Sequence, residues 1–178
     1  MRRVAIIASA SGNGKTTLGR ELASHLDVPF VEMDAIVHGP NWTEISDDGL
    51  RDALAPILVQ DGWVVDGTYQ HKIGDLVVDA ADTIVWLDLP LRVWLPRLFK
   101  RTRRRIRGEE RIFNDNRESW KTAFAGREAL FPYALTTHFR RRRAWPAQFA
   151  GRNVIRLRTP QEVERWLSEK TSRAGSPS

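Results

Sequence analysis

The chain has 178 residues, no cysteine and a formal net charge of +6 at pH 7. This length predicts one domain with a substantial core, and the lack of cysteine excludes disulfides and thiolate metal sites. An apolar run of about 7 residues after Met1-Arg2-Arg3 is at the short end for a signal peptide, and no run approaches the roughly 20 residues of a membrane span. We therefore expect a cytoplasmic protein without a membrane partner. The four histidines show no metal-ligand spacing.

Residues 4 to 17 have the pattern of a buried strand, a phosphate-binding loop and the start of a helix. The strand is rich in β-branched residues without charge, which is typical of a parallel strand covered on both faces. Gly12 and Gly14 allow the backbone to turn its N–H groups toward an anion, at the positive end of the following helix. Ser9 occupies the position of the first glycine in the full pattern G-x-x-x-x-G-K-[ST].

This loop predicts a site for ATP and Mg²⁺. Lys15 is predicted to contact the β- and γ-phosphates and to act in catalysis, and the Thr16 hydroxyl is predicted to bind the metal. A chance Gly-Lys-Thr in a surface loop would not usually be followed by leucines at helical spacing, as here at 18, 22 and 26. The loop residues predicted to bind ATP are Ser11, Gly12, Asn13, Gly14, Lys15, Thr16 and Thr17.

The rest of the chain alternates between strand and helix patterns. Further strands are predicted at 30–32, 63–66, 83–87 and 154–157, and helices at 15–26, from Ser46 to 58, throughout 91–148 and from 160 onward. Helices between strands predict right-handed crossovers and a parallel sheet covered on both faces. Residues 33–43 are predicted to form a functional loop. The domain is predicted to span 1–170, with a disordered tail at 171–178.

Acidic residues follow three of these predicted strands, at the edge of a parallel sheet where ligands bind. Asp66 is the first choice for the carboxylate that holds a Mg²⁺-bound water, although Asp66-Gly67 would also suit a simple turn. Asp34 is predicted to orient or deprotonate an acceptor hydroxyl, with a cap or turn role as the alternative. Asp88, after the fourth strand, has no assigned role.

Positive charge is concentrated in two stretches. Residues 97–111 hold eight basic and two acidic groups, and residues 140–143 are four consecutive arginines, so the rest of the chain is net negative. On a helix, Arg97, Arg101, Arg104 and Arg105 are predicted to share one face, whereas Arg103 and Arg107 point elsewhere. Arg97 is predicted to bind ATP, and Arg101 and Arg104 to stabilise the transferring phosphate. The alternatives are a solvated basic helix or a nucleic-acid patch.

Four segments carry a resemblance to a known group. They are Met33-Asp34-Ala35, Gly39-Pro40-Asn41-Trp42, the stretch from Trp63 to Tyr69, and the stretch from Asp82 to Pro90. Together these segments resemble the small bacterial P-loop proteins called topology modulation proteins, or adenylate-kinase-like NTPases, over residues 3–168. The resemblance implies one α/β P-loop NTPase domain, a five-stranded parallel sheet of order 2-3-1-4-5 with helices on both faces, and a helical arginine-rich lid at about 91–148.

The same resemblance implies an ATP site but identifies the acceptor poorly. Adenylate kinases carry Asp-Gly-Phe-Pro-Arg where this chain has Asp66-Gly67-Thr68-Tyr69-Gln70, so the arginine that grips a nucleoside monophosphate is missing from that position. Glu32-x-Asp34 is similar to the acidic pair of shikimate kinases, in which the second carboxylate contacts the acceptor hydroxyl.

Two functional classes follow from the sequence. The first is a kinase that transfers the γ-phosphate of ATP to a hydroxyl or phosphate of a small molecule or nucleotide, with Mg²⁺. The alternative is an ATP-regulated nucleic-acid-binding protein that modulates DNA topology without kinase activity. A GTPase is disfavoured because no asparagine is followed by lysine, as a guanine-recognition motif requires.

Overall fold

A computed structural model of the protein describes residues 1–110, 112, 114, 116, 118–125 and 129–172. Within these residues the strands are β1 (Arg3–Ala8), β2 (Phe30–Glu32), β3 (Trp63–Asp66), β4 (Thr83–Leu87) and β5 (Val154–Leu157). They form one sheet of order β2-β3-β1-β4-β5, and each neighbouring pair is parallel. This confirms the predicted sheet and its strand order.

The helices of the described residues follow the predicted alternation. They are α1 (Lys15–Leu26), α2 (Met33–Val37), α3 (Asp47–Leu58), α4 (Gln70–Ile73), α5 (Leu76–Ala80), α6 (Leu91–Ile106), α7 (Trp120–Phe124), α8 (Leu130–Gln148) and α9 (Pro160–Ser172). The prediction of helix α3 with Ser46 as its cap is confirmed, since the Ser46 hydroxyl accepts a hydrogen bond from the Gly49 N–H at 3.1 Å.

Four sequence predictions need correction. Helices were predicted throughout 91–148, but α6 ends at Ile106 and the described residues 107–110, 112, 116, 118 and 119 are not helical. Residues 33–43, predicted as a loop, contain α2 and a 3₁₀ turn at Pro40–Trp42. Helices α4 and α5 were not predicted, because each is too short to show a periodic apolar stripe. The first two residues of the predicted tail belong to α9, and residues 173–178 lie outside the described part of the chain. The domain boundary at 170 stays a prediction.

Both faces of the sheet are covered, as the apolar run in β1 predicted. Alternate residues of β1 face opposite sides: Val4 and Ile6 pack with α1 and α9, whereas Ala5 packs with α3. Fully burying one leucine or isoleucine side chain contributes roughly 1.5–3 kcal/mol, so a strand buried on both faces anchors the fold. The phosphate loop that follows β1 therefore begins at the end of a strand that is buried on both faces.

The tryptophans are mostly core residues, as predicted. Five of the seven are at most 7% exposed, and Trp42 and Trp120 are about 40% exposed. Trp42 lies in the 3₁₀ turn after α2, and Trp120 begins α7. Within the described ranges, no helix combines the length and the apolar character needed to cross a membrane.

Candidate active site

The phosphate loop connects β1 to α1 in the conformation that its glycines predict. Gly12 and Gly14 have φ angles of +82° and +90°, and Lys15 is the first residue of α1. A Cβ atom on Gly12 would lie 2.8 Å from the carbonyl oxygen of Trp94 and 3.1 Å from Leu98 in α6. Glycine is therefore required at position 12 both for the left-handed backbone and for the close packing of the loop against α6.

Ser9 replaces the first glycine of the pattern without adopting a positive φ angle. Its hydroxyl donates to a carboxylate oxygen of Asp88 at 2.7 Å and accepts from the indole N–H of Trp86 at 2.9 Å. Asp88 is also paired with Arg142 at 3.0 Å and with Arg156 at 2.6 Å. The substitution thus ties the start of the phosphate loop to the end of β4 through a buried hydrogen-bonded network.

The buried side chain of Asn13 forms hydrogen bonds that stabilise the phosphate loop. Its amide nitrogen donates to the carbonyl of Ala10 at 2.8 Å, and its amide oxygen accepts from the N–H of Leu89 at 3.0 Å. The side chain is buried, so the predicted contact of Asn13 with ATP is left to its backbone N–H. Ser11 is half-buried and Thr17 is exposed. Their predicted role in ATP binding stays a prediction.

Lys15, Thr16 and Asp66 meet at the end of β3. The Lys15 ammonium lies 3.2 Å from one oxygen of Asp66, and the Thr16 hydroxyl donates to the other oxygen at 2.6 Å. Burial acts to lower the pKa of Lys15, but the negative charges of Asp66 and Asp34 outweigh it and raise that pKa above its ordinary value. The lysine is therefore charged at neutral pH, ready to bind phosphate oxygens.

Thr16 and Asp66 fit the predicted metal role. Among the residues that the structure describes, no group of three or more acidic or histidine side chains could hold a metal ion. A Mg²⁺ ion here would thus take the Thr16 hydroxyl, a water held by Asp66 and phosphate oxygens of the nucleotide, which is the set of oxygen ligands that Mg²⁺ prefers.

The Asp66→Asn variant tests this metal role. The amide keeps the size of the side chain but removes the charge, so turnover is expected to need a higher Mg²⁺ concentration and to fall by about 10²-fold or more. Turnover is measured as a function of Mg²⁺ at saturating ATP. The matched control is Asp48→Asn, because Asp48 is exposed. Asp88→Asn is unsuitable, because it would break the buried network that links Asp88 to Ser9. An unchanged Mg²⁺ dependence in Asp66→Asn would contradict the assignment.

Asp34 lies at the start of α2, directly after β2. Its charge helps to raise the pKa of Lys15 and opposes the lowering of the pKa of Arg101. One of its oxygens accepts a hydrogen bond from the Tyr69 hydroxyl at 2.7 Å. Glu32, the other member of the predicted acidic pair, is bound to Arg20 of α1 at 2.9 Å. Only Asp34 of this pair faces the site.

Arg101 is the arginine of α6 that points into the site. Its Nε atom is buried without a hydrogen-bond partner, and its guanidinium forms no ion pair with any side chain that the structure describes. Burial and the neighbouring Arg105 lower its pKa, against the opposing charges of Glu118 and Asp34. Desolvating an unpaired cation is unfavourable, so an anion bound next to Arg101 and Lys15 would be stabilised by both.

The prediction that four arginines of α6 share one face is wrong. Arg97 and Arg104 line an outer groove of about 450 Å³ with Lys100, Arg103 and Arg107, so neither is brought together with Arg101. At 3.6 residues per turn the four predicted positions span about 100° of the helix, which is wide enough to cross from one face to the other. The predicted roles of Arg97 in ATP binding and of Arg104 in catalysis stay untested.

Arg105 has a structural environment. It contacts Glu110 and Glu118, each at 3.0 Å, and so anchors the segment that follows α6. Two arginines of the second basic stretch are also engaged, below the phosphate loop: Arg141 donates to the carbonyl of Ala8 at 3.1 Å, and Arg142 pairs with Asp88. Sequence reasoning missed these contacts, because a run of four arginines gives no signal of which ones fold inward.

The segment after α6 reaches across to the turn that follows α2. The Asn116 amide donates to the carbonyl of Gly39 at 3.0 Å and accepts from the N–H of Trp42 at 2.9 Å. Asn114 donates to the carbonyl of His38. These asparagines were not predicted as site residues, since their partners lie more than 70 positions away in sequence.

Comparisons with known proteins agree with this geometry. The family model described as shikimate kinase matches residues 11–47, which include the phosphate loop and Asp34. A search of curated proteins by sequence found no significant match.

Similar solved structures include a gluconokinase from Sinorhizobium meliloti 1021, with 18% identity, a TM-score of 0.53 and coverage of 97% of this chain and 91% of that one. A shikimate kinase from Bacteroides thetaiotaomicron has 14% identity, a TM-score of 0.56 and coverage of 97% of each chain. A shikimate kinase from Acinetobacter baumannii in complex with shikimate has 14% identity, a TM-score of 0.57 and coverage of 99% and 97%. The chain therefore has the fold of P-loop kinases.

Proposed function

We propose that the protein is a small-molecule kinase that transfers the γ-phosphate of ATP to a hydroxyl group, with Mg²⁺. One observation carries the proposal: Arg101, whose buried Nε atom has no hydrogen-bond partner among the described residues, and Asp34 both act on the pKa of Lys15 in the phosphate loop. Two cations for a transferring phosphate and a carboxylate for its acceptor are what phosphoryl transfer needs in one place.

Each residue has a distinct part in the proposed reaction. The phosphate loop and Lys15 hold the β- and γ-phosphates, while Arg101 neutralises charge on the γ-phosphate as it moves. Thr16 and Asp66 would hold a Mg²⁺ ion, which would supply further positive charge to the phosphates when bound. Asp34 accepts the proton of the acceptor hydroxyl, and the acceptor oxygen forms a bond to the γ-phosphorus. At the same time the bond between the γ-phosphorus and the β,γ-bridging oxygen breaks. The products are ADP and a phosphate ester.

The part of the chain from 91 to 148 is proposed to act as the lid over this reaction. It supplies Arg101 from α6, and its asparagines at 114 and 116 contact the turn after α2. A segment with both contacts can exclude water while completing the set of charges around the phosphate, which suppresses loss of the γ-phosphate to water.

A hydroxyl acceptor is favoured over a nucleoside monophosphate. At the position where adenylate kinases place a phosphate-gripping arginine this chain has Gln70, whose amide donates to Asp75, and the preceding Tyr69 donates its hydroxyl to Asp34. Similar folds occur in a gluconokinase and in a shikimate kinase solved with shikimate, whose names indicate hydroxylated acids as substrates. The nucleic-acid alternative has less support, because Arg105, Arg141 and Arg142 from its two basic stretches are engaged within the protein.

A phosphate-transfer screen with the Asp34→Asn variant tests the proposal. Wild-type protein is incubated with ATP, Mg²⁺ and a panel of polyols, sugar acids, shikimate-like compounds and nucleoside monophosphates, and ADP and phosphate ester are both measured. Asp34→Asn is expected to lower transfer by about 10²–10⁴-fold, because it removes the base, while ATP affinity stays within about 2-fold.

The exposed Asp48→Asn is the matched control, with transfer expected to equal that of the wild type. Equal loss of ATP affinity and of transfer in Asp34→Asn would show that Asp34 belongs to the nucleotide site. Binding of duplex DNA that weakens with salt and ignores ATP, with no transfer to any acceptor, would favour the nucleic-acid alternative.

A further inference from the structure

The hydroxyl of Tyr69 connects Asp34, the candidate base, to the imidazole of His38. This hydroxyl donates to one oxygen of Asp34 at 2.7 Å and lies 3.0 Å from Nε2 of His38. A carboxylate only accepts hydrogen bonds, so the single phenolic proton goes to Asp34. The Nε2 atom of His38 must then carry the proton that it donates to the Tyr69 oxygen, which fixes the tautomer of the histidine.

The tyrosine is a permanent donor in this arrangement. Burial raises the pKa of Tyr69 well above its usual range, and the charge of Asp34 and the hydrogen bond to it act in the same direction. Tyr69 therefore keeps its proton throughout the neutral pH range and cannot compete with Asp34 as the base. Its role toward Asp34 is geometric.

The backbone at Tyr69 is held in a conformation that a tyrosine rarely adopts. Its φ and ψ angles are 42° and 43°, in the left-handed region. This costs roughly 1–2 kcal/mol for a non-glycine residue and persists only where the surroundings impose it. The carbonyl of Tyr69 accepts from the N–H groups of Lys72 and Ile73, which starts α4 and holds the turn. This strained turn lies at the edge of the site, beside Asp34.

The bond leaves one oxygen of Asp34 for the acceptor. Asp34 is exposed, and among the described residues its second oxygen makes no hydrogen bond or ion pair. With one oxygen fixed by Tyr69, the carboxylate cannot rotate freely, so the free oxygen keeps a constant direction. Such orientation of a base is worth a large share of the rate, since displacement by 1 Å costs about 10²-fold.

We propose that Tyr69 is a positioning residue that orients Asp34 toward the acceptor hydroxyl, with His38 holding the tyrosine in place; this rests on the proposed kinase function. The merely structural alternative is that the bond ties the turn after β3 to α2. The two ideas differ in what removal of the hydroxyl changes. Positioning affects the transfer rate and its coupling to ATP use, whereas a structural tie affects only stability.

The kinetic test uses Tyr69→Phe with Tyr133→Phe as the matched loss of a hydroxyl, since the chain has two tyrosines and Tyr133 is exposed. Tyr69→Phe is expected to lower kcat for transfer by about 10–100-fold, with KM for ATP unchanged and more ATP lost to water per phosphate transferred. Tyr133→Phe is expected to behave as the wild type. His38→Gln, which retains an N–H donor, is expected to be closer to the wild type than His38→Ala.

A spectroscopic test needs no acceptor. In the Tyr133→Phe background Tyr69 is the only tyrosine, and its ionisation is followed by phenolate absorbance while circular dichroism reports the fold. Ionisation is expected well above the ordinary value of about pH 10, or only on unfolding, and the added Asp34→Asn substitution is expected to lower it within the folded range. If Tyr69 ionises near pH 10 and Asp34→Asn does not change this value, the hydrogen bond between Tyr69 and Asp34 is contradicted.

The outcomes separate this proposal from the kinase function. If wild-type protein transfers phosphate and Tyr69→Phe does so equally well, positioning is wrong and the kinase stands. If no acceptor in the panel is phosphorylated, the kinase proposal fails, and positioning is judged from ATP hydrolysis, in which water takes the acceptor's place. An unchanged hydrolysis rate in Tyr69→Phe then overturns positioning as well.

Discussion

Replacement of Lys15 by alanine is expected to abolish ATP turnover and to weaken ATP binding by at least about 10²-fold. The lysine is charged and lies at the end of the phosphate loop, 3.2 Å from Asp66, so its loss removes the cation that meets the β- and γ-phosphates and leaves Asp66 to repel them. ATP affinity is measured by calorimetry, and turnover by ADP release.

Lys72→Ala is the matched control for this change. Lys72 also pairs with carboxylates, Glu44 at 3.1 Å and Asp47 at 3.2 Å, but it lies in α4 and not in the phosphate loop. Its removal is expected to leave ATP affinity unchanged. If Lys15→Ala binds ATP as tightly as the wild type, the loop does not bind phosphate and the proposed function has no basis.

Replacement of Arg101 by alanine is expected to reduce kcat by about 10³-fold or more, with little change in ATP affinity. The Nε atom of Arg101 is buried without a hydrogen-bond partner, and its guanidinium forms no ion pair with a described side chain, so its charge is available to the phosphate as negative charge shifts during transfer. Arg101→Lys is expected to recover only part of the rate, because an ammonium lacks the planar array of donors. Single-turnover measurements separate this effect from product release.

Arg104→Ala serves as the control for Arg101. It lies one turn further along α6, is 59% exposed and pairs with Glu110 at 3.3 Å in the outer groove. Its loss is expected to change kcat by less than about 3-fold, as for most exposed ion pairs. Equal losses in the two variants would show that the charge of α6 acts as a whole, as in a nucleic-acid patch, and would contradict the assignment of Arg101 to the phosphate.

The sequence by itself determined the sheet, the phosphate loop and the candidate acids. Uninterrupted apolar strands indicate burial on both faces, glycines before Lys15 indicate an anion-binding turn, and an acidic residue at the end of a strand reaches the ligand edge wherever the sheet is parallel. Each of these patterns lies within one short segment and indicates where that segment sits in a parallel α/β fold. Thr16, Asp34 and Asp66 were therefore predictable as candidate site residues from their positions alone.

The tertiary structure alone decided which charges face the site. The arginines of α6 and α8 look alike in sequence, and only the packing of α6 against Gly12 turns Arg101 inward and leaves Arg97 and Arg104 outside. The same holds for polar groups that meet across long separations in the chain: Tyr69 with Asp34, and Asn116 with Trp42. Whether a helix side chain faces the site depends on which face of the helix the rest of the fold covers. That face is set by several segments packing together, so the helix sequence alone does not reveal it.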